Sequence, residues 1–488
     1  TLPLLLLFCT PGATQPEGPE TGMAAKPKSG GPGILHVALE GDDQNPGTLA
    51  RPMRTIQHAA RLAKTGDTVL IREGFYRIHN PIRPVNSGKP GAWIRYAAYP
   101  GERVVIDARD IPVGPPHGTP PYPHDQGAFQ IQDVEYIRVE GLTVQNSRNA
   151  GFTIRDSHHV NLFHNRTNKT FSSGIAVWDT RNDGQGTTHI RVVGNHVTGA
   201  NTWDLLPAGI RRQKETPHEA ISIGGARQFE VAYNHVHDCF KEGIDIKGTS
   251  SHGVVHHNHI HHVKRQGLYV DSWFGTLEDV KIYNNRIHHC VGAGMVISVE
   301  NGKQVQDIDI FNNAIYLNAG SGLFFSRWGD GPRRTIQIHD NTFYKNGCGK
   351  PKPENSYFWI TGGLYLYSSN LDHITISSNI FSENCGFQIG VSDRYALSKE
   401  GIELVLKEKN IVITDNVIHQ TSRIRYPIRV GWAPDDYAGV FAVPGTLSIQ
   451  ADPRFVAPDE GDFQLVPGSR GTGRGIDFMR PDSGFQWE

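Results

Sequence analysis

Asp245 and Lys247 in the phrase IDIK, Asp271 in YVDSW and Glu300 in SVENG set three carboxylates and one ammonium in the central part of the chain. Two carboxylates about 5–9 Å apart can divide the acid and base work at a glycosidic bond. A neighbouring lysine keeps one of them ionised, while the less solvated partner retains its proton. Asp271 ranks first for such a role, followed by Asp245 and Glu300, with Lys247 close behind. The phrase ETPHEA adds Glu215, His218 and Glu219, and Lys241 and Glu242 stand on the approach. Trp178, Tyr269, Trp273, Phe274 and Trp328 could offer apolar platforms to sugar rings, and Arg327 suits a carboxylate or hydroxyl ligand. A solvated ion network on adjacent strands would use the same residue types. What separates the two readings is how the chain positions these side chains.

Two interleaved phrases answer that. One ends short runs of alternating hydrophobicity with Asn: VVHHNHI, VKIYNNRI, DIDIFNNAI, TIQIHDNTF, with Asn165, Asn195, Asn234, Asn258, Asn285, Asn313, Asn341, Asn379 and Asn416 at intervals of 24 to 39 residues. The other begins with Gly: GFTI, GIAV, GIDI, GLYV, GMVI, GLFF, GLYL and GFQI, with AISI fitting at residue 220. Short strands repeating with that period predict an all-β, single-stranded right-handed parallel β-helix, in which each coil buries its apolar face only against the next. The repeated Asn is expected at a tight turn, where it tolerates the left-handed conformation and bonds along a stack. Alternation sends the third and fifth residues of each Gly phrase outward. Asp245/Lys247 and Tyr269/Asp271 then lie on neighbouring coils about 4.8 Å apart, with side chains along one strand about 7 Å apart.

The long intervals predict lateral insertions at about 199–219, 346–361 and 391–409. A helix over about 54–64, with Thr55, Ala59, Ala60 and Leu62 on its apolar side, is expected to cap the first coils. Residues 34–128 then form the capping region and first coils, 129–420 the helix core, and 421–488 the last coils, closed by DPRFVAPDEGDFQL. Residues 1–33 read as the remnant of a secretory signal and a flexible lead-in, with a lipid anchor at Cys9 as the alternative. The expectation is a secreted or periplasmic monomer.

With 48 basic and 49 acidic residues, the chain lacks the basic footprint of a nucleic-acid binder. No run is long and apolar enough for an integral membrane segment. Of the cysteines, only Cys348 and Cys385 fall nearly level on adjacent coils and can be bridged, whereas Cys239 and Cys290 are two coils apart. Among 24 histidines, His237, His261, His288 and His419 each follow a ladder Asn by three residues. Such a file reads as stacked turn residues, with a closed tetrahedral zinc site built from His237 and His261 as the alternative.

The stretch from His36 to Arg77, with GDDQNPGT, TIQHAA and GDTVLI, resembles the opening of secreted, pectate-lyase-like right-handed parallel β-helix proteins, and the coils and DPRF…DFQL ending are similar to the same superfamily over about residues 34–476. The resemblance implies the fold and a carbohydrate substrate but leaves the reaction open. The residues favour a secreted glycoside hydrolase with Asp271, Asp245 and Glu300 converging. Two alternatives remain, a non-catalytic glycan-binding β-helix and a polysaccharide lyase acting on a uronate by β-elimination. In the lyase, Lys247 or Arg327 is the base and calcium sits at Asp245, Asp271 or the Asp179/Asp183 loop. A further calcium position is Asp42/Asp43/Asn45 in the capping loop; the hydrolase needs no cofactor.

Overall fold

The computed structural model describes residues 33–112, 126–205, 216–349, 360–392, 399–419, 428–430 and 448–477. The leader with Cys9, Glu215 and parts of all three insertions lie outside these residues.

Three parallel sheets wind around one apolar core, two of 13 strands and one of 11. The first runs from Ile34–Val37 to Ile411–Thr414, the second from Gly74–Arg77 to Ile449–Gln450, and the third from Gly127–Gln132 to Ile428–Val430. Neighbours within each sheet are one coil apart in sequence, and from Gly127 onward the central coils contribute one strand to each. Inward residues of the Gly phrases, such as Ile244, Ile246, Leu268 and Val270, are fully buried. The solenoid predicted from the repeat is the one that forms.

Asparagine holds the turns between the first and second sheets. Asn258 accepts the Asn234 backbone N–H and side-chain amide, each at 3.0 Å, and its own amide donates to the Val231 carbonyl at 2.8 Å and to Asn285. The same exchange links Asn165 to Asn195 and Asn379 to Asn416. The left-handed residue is not the ladder Asn but the one before it: Tyr233, His257, Asn284, Asn312 and Asp340 all have φ between 52° and 55°. A second file went unread in the sequence. Asn318, Asn346 and Asn384 form a parallel ladder between the second and third sheets, closed by Gln388. Gln388 therefore occupies a glycine position, opposite Gly363, and Gly390 pairs with Tyr365. The outward pair expected at Gln388/Gly390 is shifted by two residues for that reason.

Helix α1 (Ile56–Leu62) covers the N-terminal end, with the Thr55 side chain accepting from the His58 N–H. Ile56, Ala59 and Ala60 face the core, but Leu62 is 45% exposed and does not share that side. In the third insertion, helix α2 (Lys399–Glu408) buries Leu406. The DPRF…DFQL stretch forms a lateral brace. The antiparallel pair Phe455–Ala457 and Asp462–Leu465 packs Phe463 against Tyr316 and Tyr344 on the flank of the second sheet. Cys348 and Cys385 are bonded, with Cα atoms 5.1 Å apart, while Cys239 and Cys290 are buried free thiols. Among the described residues no helix is long and apolar enough to cross a membrane.

Candidate active site

The third sheet carries the chemistry on its outer face. Register places Ser222, Asp245 and Tyr269 side by side in one file, and Gly224, Lys247, Asp271 and Ser298 in the next. Asp245 and Lys247 face the same way because they are two residues apart on one strand. Lys247 Nζ lies 2.8 Å from Asp245 Oδ2 and 2.7 Å from Glu219 Oε2. Glu219 also accepts from the Ser222 hydroxyl at 2.9 Å and stands 3.7 Å from Lys241 Nζ. The sequence offered Glu219, with His218, as a substrate-binding residue of the ETPHEA phrase; in the structure its carboxylate contacts Lys247.

Glu219, Asp245, Lys247 and Asp271 are all buried, Asp245 completely and Lys247 to all but 9%. Burial would push the Glu219 carboxyl up, but Lys247, Lys241 and His218 outweigh it and hold Glu219 well below the usual carboxylate range. Burial pushes Asp245 far above its ordinary value, and the carboxylates of Glu219 and Asp271 add to the shift against Lys247. Asp271 rises for the same reason, with Glu300 as its largest acidic neighbour. For Lys247 burial works against the charge, yet Asp245 and Glu219 raise its affinity for the proton above that of a free lysine. The cluster thus sets one firm ammonium and one firm carboxylate beside two carboxyls whose proton affinity burial raises.

Glu300 joins the cluster indirectly. It accepts a hydrogen bond from the Tyr269 hydroxyl, and burial raises its carboxyl. Tyr269 is only 6% exposed and packs edge-on to Trp328 in an apolar cluster with Phe324 and Tyr365. It positions Glu300 rather than offering a platform, and Trp328 is part of the same packing. Trp178 lies directly over Gly224, where a Cβ would come within 2.4 Å of the indole, and its ring is 4.9 Å from that of His218. Trp273 and Phe274 are 38% and 52% exposed, and Phe274 leans towards Gly248, the residue after Lys247. Trp178, Trp273 and Phe274 are therefore the aromatic surface beside the lysine. Arg327 stands three coils beyond Lys247, roughly 14 Å along the helix axis, and meets Asp330 at 3.6 Å. Lys247 and Arg327 do not share one centre. Arg265, absent from the sequence reading, pairs with Glu242 at 3.3 Å. Its signal was present: it stands two residues before a phrase glycine, as Lys241 does on the preceding coil.

Calcium positions differ in fitness. Asp179 accepts four backbone N–H groups, from Arg181, Gly184, Gln185 and Gly186. Asp43 is spent on Arg54 and Thr55, and Asn45 on Pro52 and Arg51. These oxygens organise their own loops. Asp245 and Asp271 differ, because Asp245 Oδ1 and Asp271 Oδ1 are buried without a hydrogen-bond donor, while Asp245 Oδ2 faces Lys247. Hard, under-served oxygens on adjacent coils fit a hard cation.

The right-handed β-helix region profile matches residues 127–307 and 275–418, and the chain belongs to that family. Within it, a Pel9A-like right-handed β-helix region profile matches residues 35–196, which relates the chain to pectate-lyase-like carbohydrate-active proteins. Pectate lyase PEL9 of Emericella nidulans is 26% identical over 232 residues, covering 41% of this chain and 54% of that protein. The uncharacterised protein YwoF of Bacillus subtilis is 37% identical over 112 residues, 23% of this chain and 22% of that protein. The chain thus spans about a fifth to a half of these relatives. The crystal structure of pectate lyase Pel9A superposes with a TM-score of 0.46 at 14% identity over 93% of both chains. The sequence relative pectate lyase PEL9 overturns the expectation of a glycoside hydrolase, because the activity it is named for is that of a lyase. The error arose from reading buried carboxylates as an acid–base pair, when two of them are counter-charges to one lysine.

Proposed function

We propose that the protein is an extracytoplasmic polysaccharide lyase that cleaves a uronate-containing glycan by β-elimination at Lys247. The observation that carries the reading is the single buried lysine held between Glu219 and Asp245 and flanked by Asp271 on the next coil. β-Elimination removes the proton from C5, expels the C4 oxygen and leaves a C4–C5 double bond. It needs a base at C5 and positive charge at the uronate carboxylate. Lys247 is the base in this reading, and its proton affinity falls when Asp245 turns to another cation. Asp245 and Asp271 would hold calcium, which when bound supplies fixed positive charge to the substrate carboxylate. With Asp271 held as a carboxylate, the departing oxygen takes its proton from water. Trp178, Trp273 and Phe274 supply the apolar surface for the sugar rings, and Lys241 and Arg265 add positive charge along the face. The Cys348–Cys385 bond supports a location outside the cytoplasm.

The test is incubation of the chain with polygalacturonate and with rhamnogalacturonan, with and without calcium, following ultraviolet absorbance and reducing ends together. Absorbance rising in step with reducing ends is expected for one of them. New reducing ends without absorbance would overturn elimination, and neither signal on any uronate polymer would favour a binding role.

A further inference from the structure

The second sheet presents a different chemistry on a face remote from Lys247. His196, His235 and His259 begin successive strands His196–Thr198, His235–His237 and His259–His261 and form one file. His237, His261 and His288 form the parallel file two residues on. Rings within each file stack with centroids 4.9 to 5.0 Å apart. Across the files the Nε2 atoms face each other, His196 to His237 at 2.7 Å, His235 to His261 and His259 to His288 at 2.8 Å.

Stacking alone does not require this. The neighbouring file His256–Tyr283–Phe311–His339 stacks just as closely, although Tyr283 and Phe311 between its two histidines have no ring nitrogen to offer. In the double file every position is imidazole across the coils of His235 and His259, and the nitrogens converge rather than point outward. The ligand atoms of His196, His235 and His237 lie within 4.8 Å of one another, and those of His235, His259 and His261 do likewise. One trio has a further feature. His237 Nδ1 is 2.7 Å from Asp238 Oδ2, so Nδ1 carries the proton and Nε2 is left with its lone pair. A carboxylate on the outer nitrogen is the usual support of a metal-bound histidine.

We propose that His196, His235 and His237 bind one borderline divalent transition ion, of the zinc, copper or nickel class, with Asp238 orienting His237. Imidazole nitrogen selects such ions over calcium and magnesium. The His196–His237 contact must open by about 0.6 Å to seat an ion with Zn–N bonds of about 2.0–2.1 Å at tetrahedral angles. The proton on His196 Nε2 moves through solvent to its Nδ1, His235 gives up its Nε2 contact with His261, and three lone pairs face the ion. All three rings are partly exposed, which leaves the fourth position open to water. Because His235 belongs to both trios, one ion excludes the other.

The test is titration of the untagged, chelator-stripped chain with cobalt(II), read by the visible bands of tetrahedral coordination, followed by displacement with zinc. One equivalent is expected. His235→Gln and His237→Gln should each weaken binding more than tenfold, Asp238→Asn should weaken it roughly 10–100-fold, and His259→Gln should leave it within about threefold. Lys247→Ala should bind cobalt as the parent does, which separates this site from the lyase reading. Zinc-edge X-ray absorption of the parent chain should show a nitrogen shell containing three imidazoles, a readout that no folding defect in a variant can disturb. Absence of tetrahedral cobalt at one equivalent, an oxygen or sulfur shell, or loss on His259→Gln with retention on His237→Gln would each overturn the assignment.

Discussion

Lys247 Nζ stands 2.7 Å from Glu219 Oε2, although the two residues belong to different coils and Glu219 precedes its own strand. Ser222, opposite Asp245 in register, holds Glu219 Oε2 at 2.9 Å on the neighbouring coil, within reach of Lys247. One ammonium then serves two carboxylates, and its chemistry depends on both.

Replacing Lys247 by Ala removes the cation that Asp245 and Glu219 share and leaves buried carboxylate charge. Removal of one partner of a buried pair typically costs about 3–5 kcal/mol, and loss of a catalytic base typically costs about 10²–10⁴ in rate. Lys247→Arg retains the charge but remains protonated. The Ala variant should therefore lose both stability and activity, and the Arg variant mainly activity. Denaturant midpoints and initial ultraviolet rates on the same preparations test this; an active Arg variant would remove Lys247 from the base role.

The pH profile follows from Glu219. Its negative charge stabilises the Lys247 ammonium, so Glu219→Gln should lower the proton affinity of Lys247. A base is active when deprotonated, so the rising limb of kcat/KM should move to lower pH in the variant. No movement of that limb would mean that another group takes the C5 proton.

The solenoid was legible because its cause is periodic. Gly and Asn recur at every turn, and alternation assigns Asp245, Lys247 and Asp271 to one face without any knowledge of the coil's shape. What remained hidden depends on single departures from the period. Gln388 in a glycine position shifts its coil by two residues. Tyr269 looks outward in the alternation, yet Trp328 and Tyr365 fold over it. The Glu219–Lys247 contact joins a loop residue to a strand residue, and no repeat encodes it. Most consequential, the sequence cannot distinguish carboxylates that perform acid–base work from carboxylates that balance a lysine.

Asn258→Ala should be among the most destabilising single changes outside the apolar core. The side chain satisfies the Asn234 N–H and amide and donates to Val231 and Asn285. Each buried group left without a partner costs about 1–3 kcal/mol. Asn258→Asp should also destabilise, since it cannot donate to Val231. A thermal midpoint close to that of the parent in both variants would mean that water replaces the ladder.

His339 provides a second pH effect, on stability. Hydrogen bonds to Asp309 and Asp340, each 3.0 Å away, raise it from 6.5 to about 9 against the opposing effect of burial. A raised value means that the folded chain binds the proton more tightly than the unfolded chain. Its contribution is complete below pH 6.5 and disappears as pH rises through about 9. The fall in thermal midpoint between these values should be shallower in His339→Gln, and an identical slope would place the titrating group elsewhere.

Gly224 separates substrate binding from the chemical step. Trp178 occupies the volume that a side chain at 224 would need, with Cε3 and Cζ3 both 2.4 Å from an added Cβ. Gly224 itself has no left-handed requirement, so Ala is tolerated by the backbone and acts only through the indole. Gly224→Ala should push Trp178 away from its place beside Lys247 without touching the contacts of Lys247 to Glu219 and Asp245. If Trp178 carries a sugar ring, KM should rise severalfold, by an amount comparable to that in Trp178→Ala, while the pH at which the rate rises stays where it is in the parent. The double variant Gly224→Ala/Trp178→Ala should then be no worse than Trp178→Ala alone, because the two changes act through one ring. Additive losses in the double variant would mean that the indole and the glycine serve the site by separate routes.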